Sequence, residues 1–327
     1  MERAPFYDDV APGPPDGDAW WITTSDGVRL RIGHWPCEGA KGTVLLFPGR
    51  TEFIEKYDFA AADLAARGYA TLAIDWRGQG LSDRLTTDQM AGHVHLFSDY
   101  QRDVGAMLQA AEALGVARPL HLLAHSMGGC IGLRAAIEGL PVASCVFSGP
   151  MWGIQISTAL RPVAWSLSWG TSLVGMGHLY APGSAGESYV LKEPFASNKL
   201  TNDAEMYQHM IDQTRAHAEL GLGGPSLRWL REALRECLVL SRRPSPDLPC
   251  LTVVGSNEEI VDMGRITQRM QNWPGGELHV VDGGRHEVLM DKPAIRRELF
   301  DRICALYDAQ SDTPDRARDR SGVSAQS

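Results

Sequence analysis

The sequence has no cysteine pair spaced as CxxC, no excess of basic charge, no internal repeat and no apolar run long enough to span a bilayer. Each absence excludes something. The six cysteines (Cys37, Cys130, Cys145, Cys237, Cys250 and Cys304) are scattered along 327 residues, and Cys130, Cys145 and Cys250 sit inside apolar stretches. They read as small buried hydrophobes in a reducing compartment rather than as a disulfide framework or a metal site. The formal net charge is −9 and the pI is near 5.6. Nucleic acid is therefore excluded as the main partner, because a phosphate backbone calls for a basic footprint. The start, Met-Glu-Arg-Ala-Pro-Phe-Tyr-Asp-Asp, lacks the basic stretch and apolar segment of a secretory signal. The longest uncharged apolar run, residues 163–177, falls short of the ~20 residues that cross a membrane. The expected location is the cytoplasm, with residues 163–177 offering a peripheral contact to the inner face of the membrane.

What is present is a chain that is 44% hydrophobic and of a length that can bury about three quarters of its unfolded surface. Residues 1–19, rich in Pro, Gly and Asp, read as a loose arm. Strands are expected at 20–23 and 28–35, joined by the turn signal Ser25-Asp26-Gly27. Further strands are expected at 43–47, 70–74, 120–124 and 142–147. Helical patterns alternate with them, one leading to Gly68, one opened by a capping box at Ser98-Asp-Tyr-Gln101, and one over 127–138. This alternation predicts an α/β fold with a mainly parallel sheet covered by helices on both faces. From about 151 to 245 the strand signal disappears, and the stretch reads as a helical cap inserted into the sheet domain. The alternation resumes with strands at 251–254 and 277–281 and helices at 264–271 and 293–307. The sheet domain is thus expected over 20–150 and 246–308, followed by a disordered, polar tail at 309–327.

The chemistry centres on Leu120-His-Leu-Leu-Ala-His-Ser126-Met-Gly-Gly129. Ser126 stands where a buried strand turns directly into a helix, a sharp turn that needs small neighbours two residues away on each side. Ala124 and Gly128 meet that need. The turn lifts the Ser126 hydroxyl above the sheet over a helix N-terminus, where the Met127 N–H can meet a developing oxyanion. A serine nucleophile needs a base. Of the ten histidines, His286 in Asp282-Gly-Gly-Arg-His286 follows the last strand, at the sheet edge where active sites of open α/β sheets gather. The acid should lie between them in the chain. Glu258 is the first choice, with Glu259 and Asp262 as alternatives, Asp262 also being placed to cap the next helix. The loop Phe47-Pro-Gly-Arg50-Thr-Glu52 is placed to supply a second oxyanion donor, the Arg50 N–H. The segment Asp75-Trp-Arg-Gly-Gln-Gly80 reads as structural support beneath the site.

These motifs, with Asn198-Lys-Leu-Thr201, Gly223-Gly-Pro-Ser-Leu-Arg-Trp229 and Gly284-Arg-His-Glu-Val288, resemble the lysophospholipase and monoacylglycerol lipase group of α/β hydrolases, the bacterial lysophospholipases above all. The resemblance covers roughly residues 20–307. It implies the α/β-hydrolase fold, a triad of Ser126, Glu258 and His286, and an oxyanion held by the N–H groups of Arg50 and Met127. Two positions depart from the pattern: Ala124 replaces a glycine, and Trp76 stands where a histidine is common.

The expectation is a serine carboxylester hydrolase that frees a fatty acid from a single-chain lipid through an acyl-enzyme, with a small lipid or ester as partner and no metal or cofactor. Trp152, Trp165 and Trp169, with Met151 and Met176, are candidates to line an acyl tunnel or, equally, to form the cap's own core. The alternatives are a short-chain esterase or peptidase on the same scaffold, and a non-catalytic binding protein that kept the fold. The oligomeric state stays open.

Overall fold

The runs Gly42–Phe47 and Tyr69–Asp75 contain no exposed residue, which is the signature of strands covered on both faces. In the computed structural model, which describes residues 1–155 and 175–310, they lie at the centre of a nine-stranded sheet. The strands are β1 (Glu2–Ala4), β2 (Asp18–Thr23), β3 (Arg29–Trp35), β4 (Gly42–Phe47), β5 (Tyr69–Asp75), β6 (Leu120–His125), β7 (Cys145–Ser148), β8 (Cys250–Gly255) and β9 (Gly276–Val281). Their order is β1-β2-β3-β5-β4-β6-β7-β8-β9. The pairs from β5 through β9 are parallel, and β1, β2 and β3 add antiparallel strands at one edge.

Side chains alternate across a strand, and β4 shows the result. Leu45 and Phe47 join one apolar cluster with Leu122, Met107, Ile131 and Ile266, under the helices Tyr100–Leu114, Met127–Ile137 and Met263–Gln271. Val44 and Leu46 join the other with Leu64, Phe300 and Tyr307, under Asp58–Ala65 and Pro293–Asp308. Burial of two such layers is the main source of stability.

Three expectations change. The first residues are not a loose arm: Glu2–Ala4 extends the sheet by pairing Arg3 with Trp20, and the Arg3 guanidinium lies over the Trp20 ring at 5.0 Å. The helix expected from a Ser98 capping box begins with a tight turn at Phe97–Asp99, and it is Asp99 that accepts the Leu96 N–H, at 3.1 Å. The helix Leu227–Leu240, expected in the cap, buries Ala233, Cys237 and Leu240 in the same cluster as the sheet, and its Glu236 pairs with Arg134 of the helix Met127–Ile137. Its amphipathic face makes it part of the sheet's covering layer. The rest of the described cap comprises the short helical turn Tyr189–Lys192, the helix Ala204–Ala216 and connecting loops. All six cysteines are free thiols.

The antiparallel edge is locked to the parallel core by charge. Arg31 on β3 is fully buried; it donates to both oxygens of Glu55 and to Asp75 at the end of β5, each at 2.7 Å. Asp75 also accepts the Ile54 N–H at 2.9 Å. An Arg31→Met variant leaves two buried carboxylates without their cation, so chemical denaturation should show a loss of about 3–5 kcal/mol. Replacing Arg31, Glu55 and Asp75 together by apolar residues should recover much of it.

Candidate active site

Between β6 and the helix Met127–Ile137 there is no loop: Ser126 alone makes the turn, at φ +49° and ψ −115°. An L-residue is strained in this region, and such strain persists only where surrounding bonds enforce it. Those bonds are the Ser126 N–H to Ser148 O at 3.0 Å and the Met151 N–H to Ser126 O at 2.8 Å. The sequence requirement for small neighbours has a direct cause. A β-carbon on Gly128 would sit 2.1 Å from the Phe47 carbonyl oxygen. The departure at Ala124 is absorbed by the opposite helix face, where a β-carbon on Gly132 would come within 3.2 Å of the Ala124 methyl. Met127 is the first helical residue, so its N–H has no carbonyl one turn back and is aimed toward the mouth of the turn.

Glu258 and His286 are on separate loops, after β8 and β9. Backbone bonds from Asn257 N–H to Gly284 O and from Ser256 N–H to Val281 O, each 2.9 Å, hold the two loops together. Glu258 Oε2 lies 2.7 Å from His286 Nδ1, and Oε1 accepts the N–H groups of Ile260 and Val261 at 2.6 and 3.1 Å. Burial alone would raise the Glu258 carboxyl. The His286 bond and charge, with the two N–H donors, outweigh it and hold the group below the usual glutamate range. The competing acids are occupied elsewhere. Glu259 faces solvent and pairs with Lys199 at 3.0 Å, while Asp262 caps the helix Met263–Gln271 through Arg265 N–H.

Ser126, His286 and Arg50 line one pocket of about 290 Å³. Its other walls are largely apolar, with Met151, Val190, Leu200, Met210, Leu230 and Ile260 among them. The Gly49 N–H is taken by the Glu52 carboxylate. The Arg50 N–H, by contrast, makes no hydrogen bond among the described residues. Thr51, next in the loop, has a positive φ of 67°. The segment read as support does support this loop: Trp76 Nε1 donates to Pro48 O at 2.9 Å, and Gln79 Nε2 donates to Gly49 O and Glu52 O at 2.8 and 3.0 Å. The indole at position 76 thus supplies a donor to this loop.

One candidate is corrected. Trp152 does not line this pocket. Its indole is buried against Phe147 and Trp273, with centroids at 5.1 and 6.1 Å, and donates to Gly129 O. The ring completes the core beneath the elbow helix. Trp165 and Trp169, and the run 163–177 apart from its last three residues, lie outside the described residues. Of those last three, Met176 is exposed.

A buried network behind the site escaped the sequence reading. Lys56 Nζ sits between Glu52 Oε1 at 2.5 Å and Glu287 Oε1 at 2.6 Å, and Tyr57 OH also bonds Glu52. His125, the residue before the nucleophile, donates from Nδ1 to Ser148 O at 2.9 Å and turns Nε2 toward Glu287 and Glu52, at 3.3 and 3.6 Å. Its ring centre lies 4.8 Å from that of His286. Burial would lower the His125 pKa, but the facing carboxylates raise it further than burial lowers it. Burial would likewise raise Glu287, and His125 and Lys56 hold it well below the usual range. Glu52, His125 and Glu287 converge closely enough to ligate a metal ion, but the Lys56 ammonium already bonds both carboxylates. The only sequence signal for this network was a Glu and a Lys four residues apart.

A family description of serine aminopeptidases, S33, matches residues 38–293 of this chain. Lysophospholipase L2 of Escherichia coli is 32% identical over 297 residues, covering 88% of this chain and 86% of that protein. Among solved structures, the chain is similar to a soluble variant of monoglyceride lipase from Saccharomyces cerevisiae with a substrate analogue (TM-score 0.69, 19% identity, 88% of this chain and 94% of that one). It is also similar to the monoacylglycerol lipase of Paleococcus ferrophilus (TM-score 0.67, 18% identity, 86% and 99%). These likenesses establish the α/β-hydrolase fold.

Lys56→Met leaves Glu52 and Glu287 buried without their shared cation and should lower stability by about 3–5 kcal/mol in denaturant melts. Glu287 titrates at a lower pH folded than unfolded. Its contribution is therefore full above the ordinary glutamate value of 4.5 and is lost as pH falls through its depressed folded value. Melting curves across acid pH should show a shallower loss for Glu287→Gln than for the parent protein.

Proposed function

The chain belongs to the serine aminopeptidase S33 family of hydrolases, and from that premise we propose that it is a lysophospholipase-like serine carboxylester hydrolase. It releases a fatty acid from a single-chain lipid, a lysophospholipid or a monoacylglycerol, through an acyl-enzyme on Ser126. The observation that carries this reading is His286, bonded to Glu258 at 2.7 Å, lining the same apolar pocket as Ser126.

In this mechanism His286 takes the Ser126 proton as Oγ bonds to the ester carbonyl carbon. Glu258 fixes the His286 tautomer and offsets the imidazolium charge. The N–H groups of Arg50 and Met127 meet the oxyanion. The tetrahedral intermediate then breaks its carbon–oxygen bond, and His286 returns the proton to the departing alcohol. Water, activated by His286, cleaves the acyl-enzyme to fatty acid and free serine. The aliphatic side chains of the pocket suit an alkyl chain, which is stabilised there by about 0.8 kcal/mol per buried methylene. The similarity to Escherichia coli lysophospholipase L2 supports the same substrate class. No helix among the described residues is long and apolar enough to cross a membrane. The setting proposed for this activity is the cytoplasm, with lipid reached from the inner membrane face.

The family description, which names an aminopeptidase, favours one second reading, peptide hydrolysis. A substrate ammonium would need a free carboxylate in the pocket. Glu52 and Glu287 reach the pocket wall, but both are bonded to Lys56, which weighs against that reading.

A fluorophosphonate probe should label the protein, and Ser126→Ala should abolish labelling. Glu258→Gln should lower kcat by roughly 10³–10⁴-fold, whereas Glu259→Gln should leave it near the parent value. A panel of a long-chain lysolipid, a short soluble ester and an aminoacyl amide should show turnover of the lysolipid. Turnover of the amide alone would replace the lipase reading with the peptidase one.

A further inference from the structure

The pocket contains a cation that the hydrolytic chemistry does not use. The side chain of Arg50, half-buried, lines the pocket with Ser126 and His286. Its Nη1 donates to Gly223 O at 2.9 Å, and its guanidinium carbon lies 5.5 Å from the centre of the Trp229 ring. Among the described residues it makes no other hydrogen bond and no ion pair, and residues 156–174 contain no Asp or Glu. The remaining donors of the fork have no acceptor from the described chain. Burial lowers its pKa to about 10, so it stays charged at neutral pH. Lys56 at the pocket wall is bonded to both Glu52 and Glu287, so its ammonium is already engaged by two carboxylates. The cation of the pocket wall that no described carboxylate engages is Arg50.

An unpaired, desolvated guanidinium is costly unless an anion meets it, and a planar fork matches a phosphate in particular. Its position also fits. Arg50 is the residue whose N–H faces the oxyanion in the mechanism above. An extended arginine carries its guanidinium roughly 6–7 Å beyond its own backbone, about the distance from a scissile glycerol ester carbonyl to a phosphate on the third carbon. We propose that the Arg50 side chain binds the head-group phosphate of a lysophospholipid. One residue then serves the substrate twice, its N–H at the reacting carbonyl and its guanidinium at the head group. The contact from Gly223 O and the Trp229 ring hold the fork in place. This inference rests on the lipid-hydrolase reading, and it selects a lysophospholipid over an uncharged monoacylglycerol.

The test compares two esters of one acyl chain, a 1-acyl lysophosphatidylcholine and a 1-monoacylglycerol, on the full-length protein. The readout is the ratio of their kcat/KM values, so a general loss at the oxyanion loop cancels. Arg50→Gln should lower the phospholipid-to-glyceride ratio by ~30-fold, mostly through KM for the phospholipid. Arg50→Lys, which keeps the charge, should retain a larger share of the ratio. An unchanged ratio in Arg50→Gln overturns the proposal while leaving the hydrolase reading intact.

A second measurement does not depend on turnover. An ether-linked lysophosphatidylcholine should protect Ser126 from fluorophosphonate labelling better than an alkylglycerol of equal chain length, and Arg50→Gln should erase the difference. Equal protection by the two ethers in the parent protein overturns the proposal. Inorganic phosphate that protects as well as the ether phospholipid also overturns it, in favour of a free-phosphate site. If the parent protein hydrolyses neither ester, the lipid reading falls, and the protection difference still decides what Arg50 binds.

Discussion

One buried ammonium holds the loops around Ser126 and His286 in register. Lys56 bonds Glu52 from the loop after β4 and Glu287 from the loop after β9, while His125 approaches the same carboxylates from the end of β6. Two loops and the end of a strand, distant in the chain, therefore share one charge cluster, away from bulk water, where an uncompensated member costs several kcal/mol. Glu287 is the neighbour of His286, His125 the neighbour of Ser126, and Glu52 bonds the N–H beside Arg50. Ser126, His286 and Arg50 are thus each one residue from an anchored one. Arrangements held within a fraction of an ångström need this second layer of support.

The strained turn at Ser126 depends on the same economy of space. The Gly128 position presses against the carbonyls of Phe47 and Pro48, so the helix after Ser126 and the loop that carries Arg50 are in direct contact. Trp76 and Gln79 then fix the carbonyls of Pro48 and Gly49. Donors that need no reorganisation during the reaction are the strongest form of electrostatic stabilisation. Arg31, with Glu55 and Asp75, extends that rigidity to the antiparallel edge. The N-terminal strands are therefore part of the frame on which the loop rests.

The cap segments reach the site at defined points. Leu200 O accepts the Glu287 N–H at 2.7 Å, Arg285 donates to Asn198 O at 2.6 Å, and Gly223 O accepts from Arg50. These contacts explain why Asn198-Lys-Leu-Thr201 and the Gly223-Gly-Pro segment carry the family resemblance although neither contributes a reacting atom. They tie these segments to the loops that carry His286 and Arg50.

The strands of the sheet and the position of Ser126 were legible because they depend on local constraints. Short apolar runs bounded by turn residues suit strands buried on both faces, and a serine flanked by small residues between a strand and a helix has few other uses. His286 was legible for a similar reason, as a histidine directly after the last strand. The choice among Glu258, Glu259 and Asp262 was open in the sequence, since three carboxylates within five residues share one local pattern. Only the approach of the two loops brings Glu258 Oε2 to 2.7 Å from His286 Nδ1 and turns Glu259 to solvent. Trp152 misled because an aromatic reads the same in a core and in a pocket until its neighbours are known. The Lys56 cluster and the charge of Arg50 lay deeper still. A carboxylate 231 residues away, or the lack of one, is a property of packing, and no spacing along the chain encodes it.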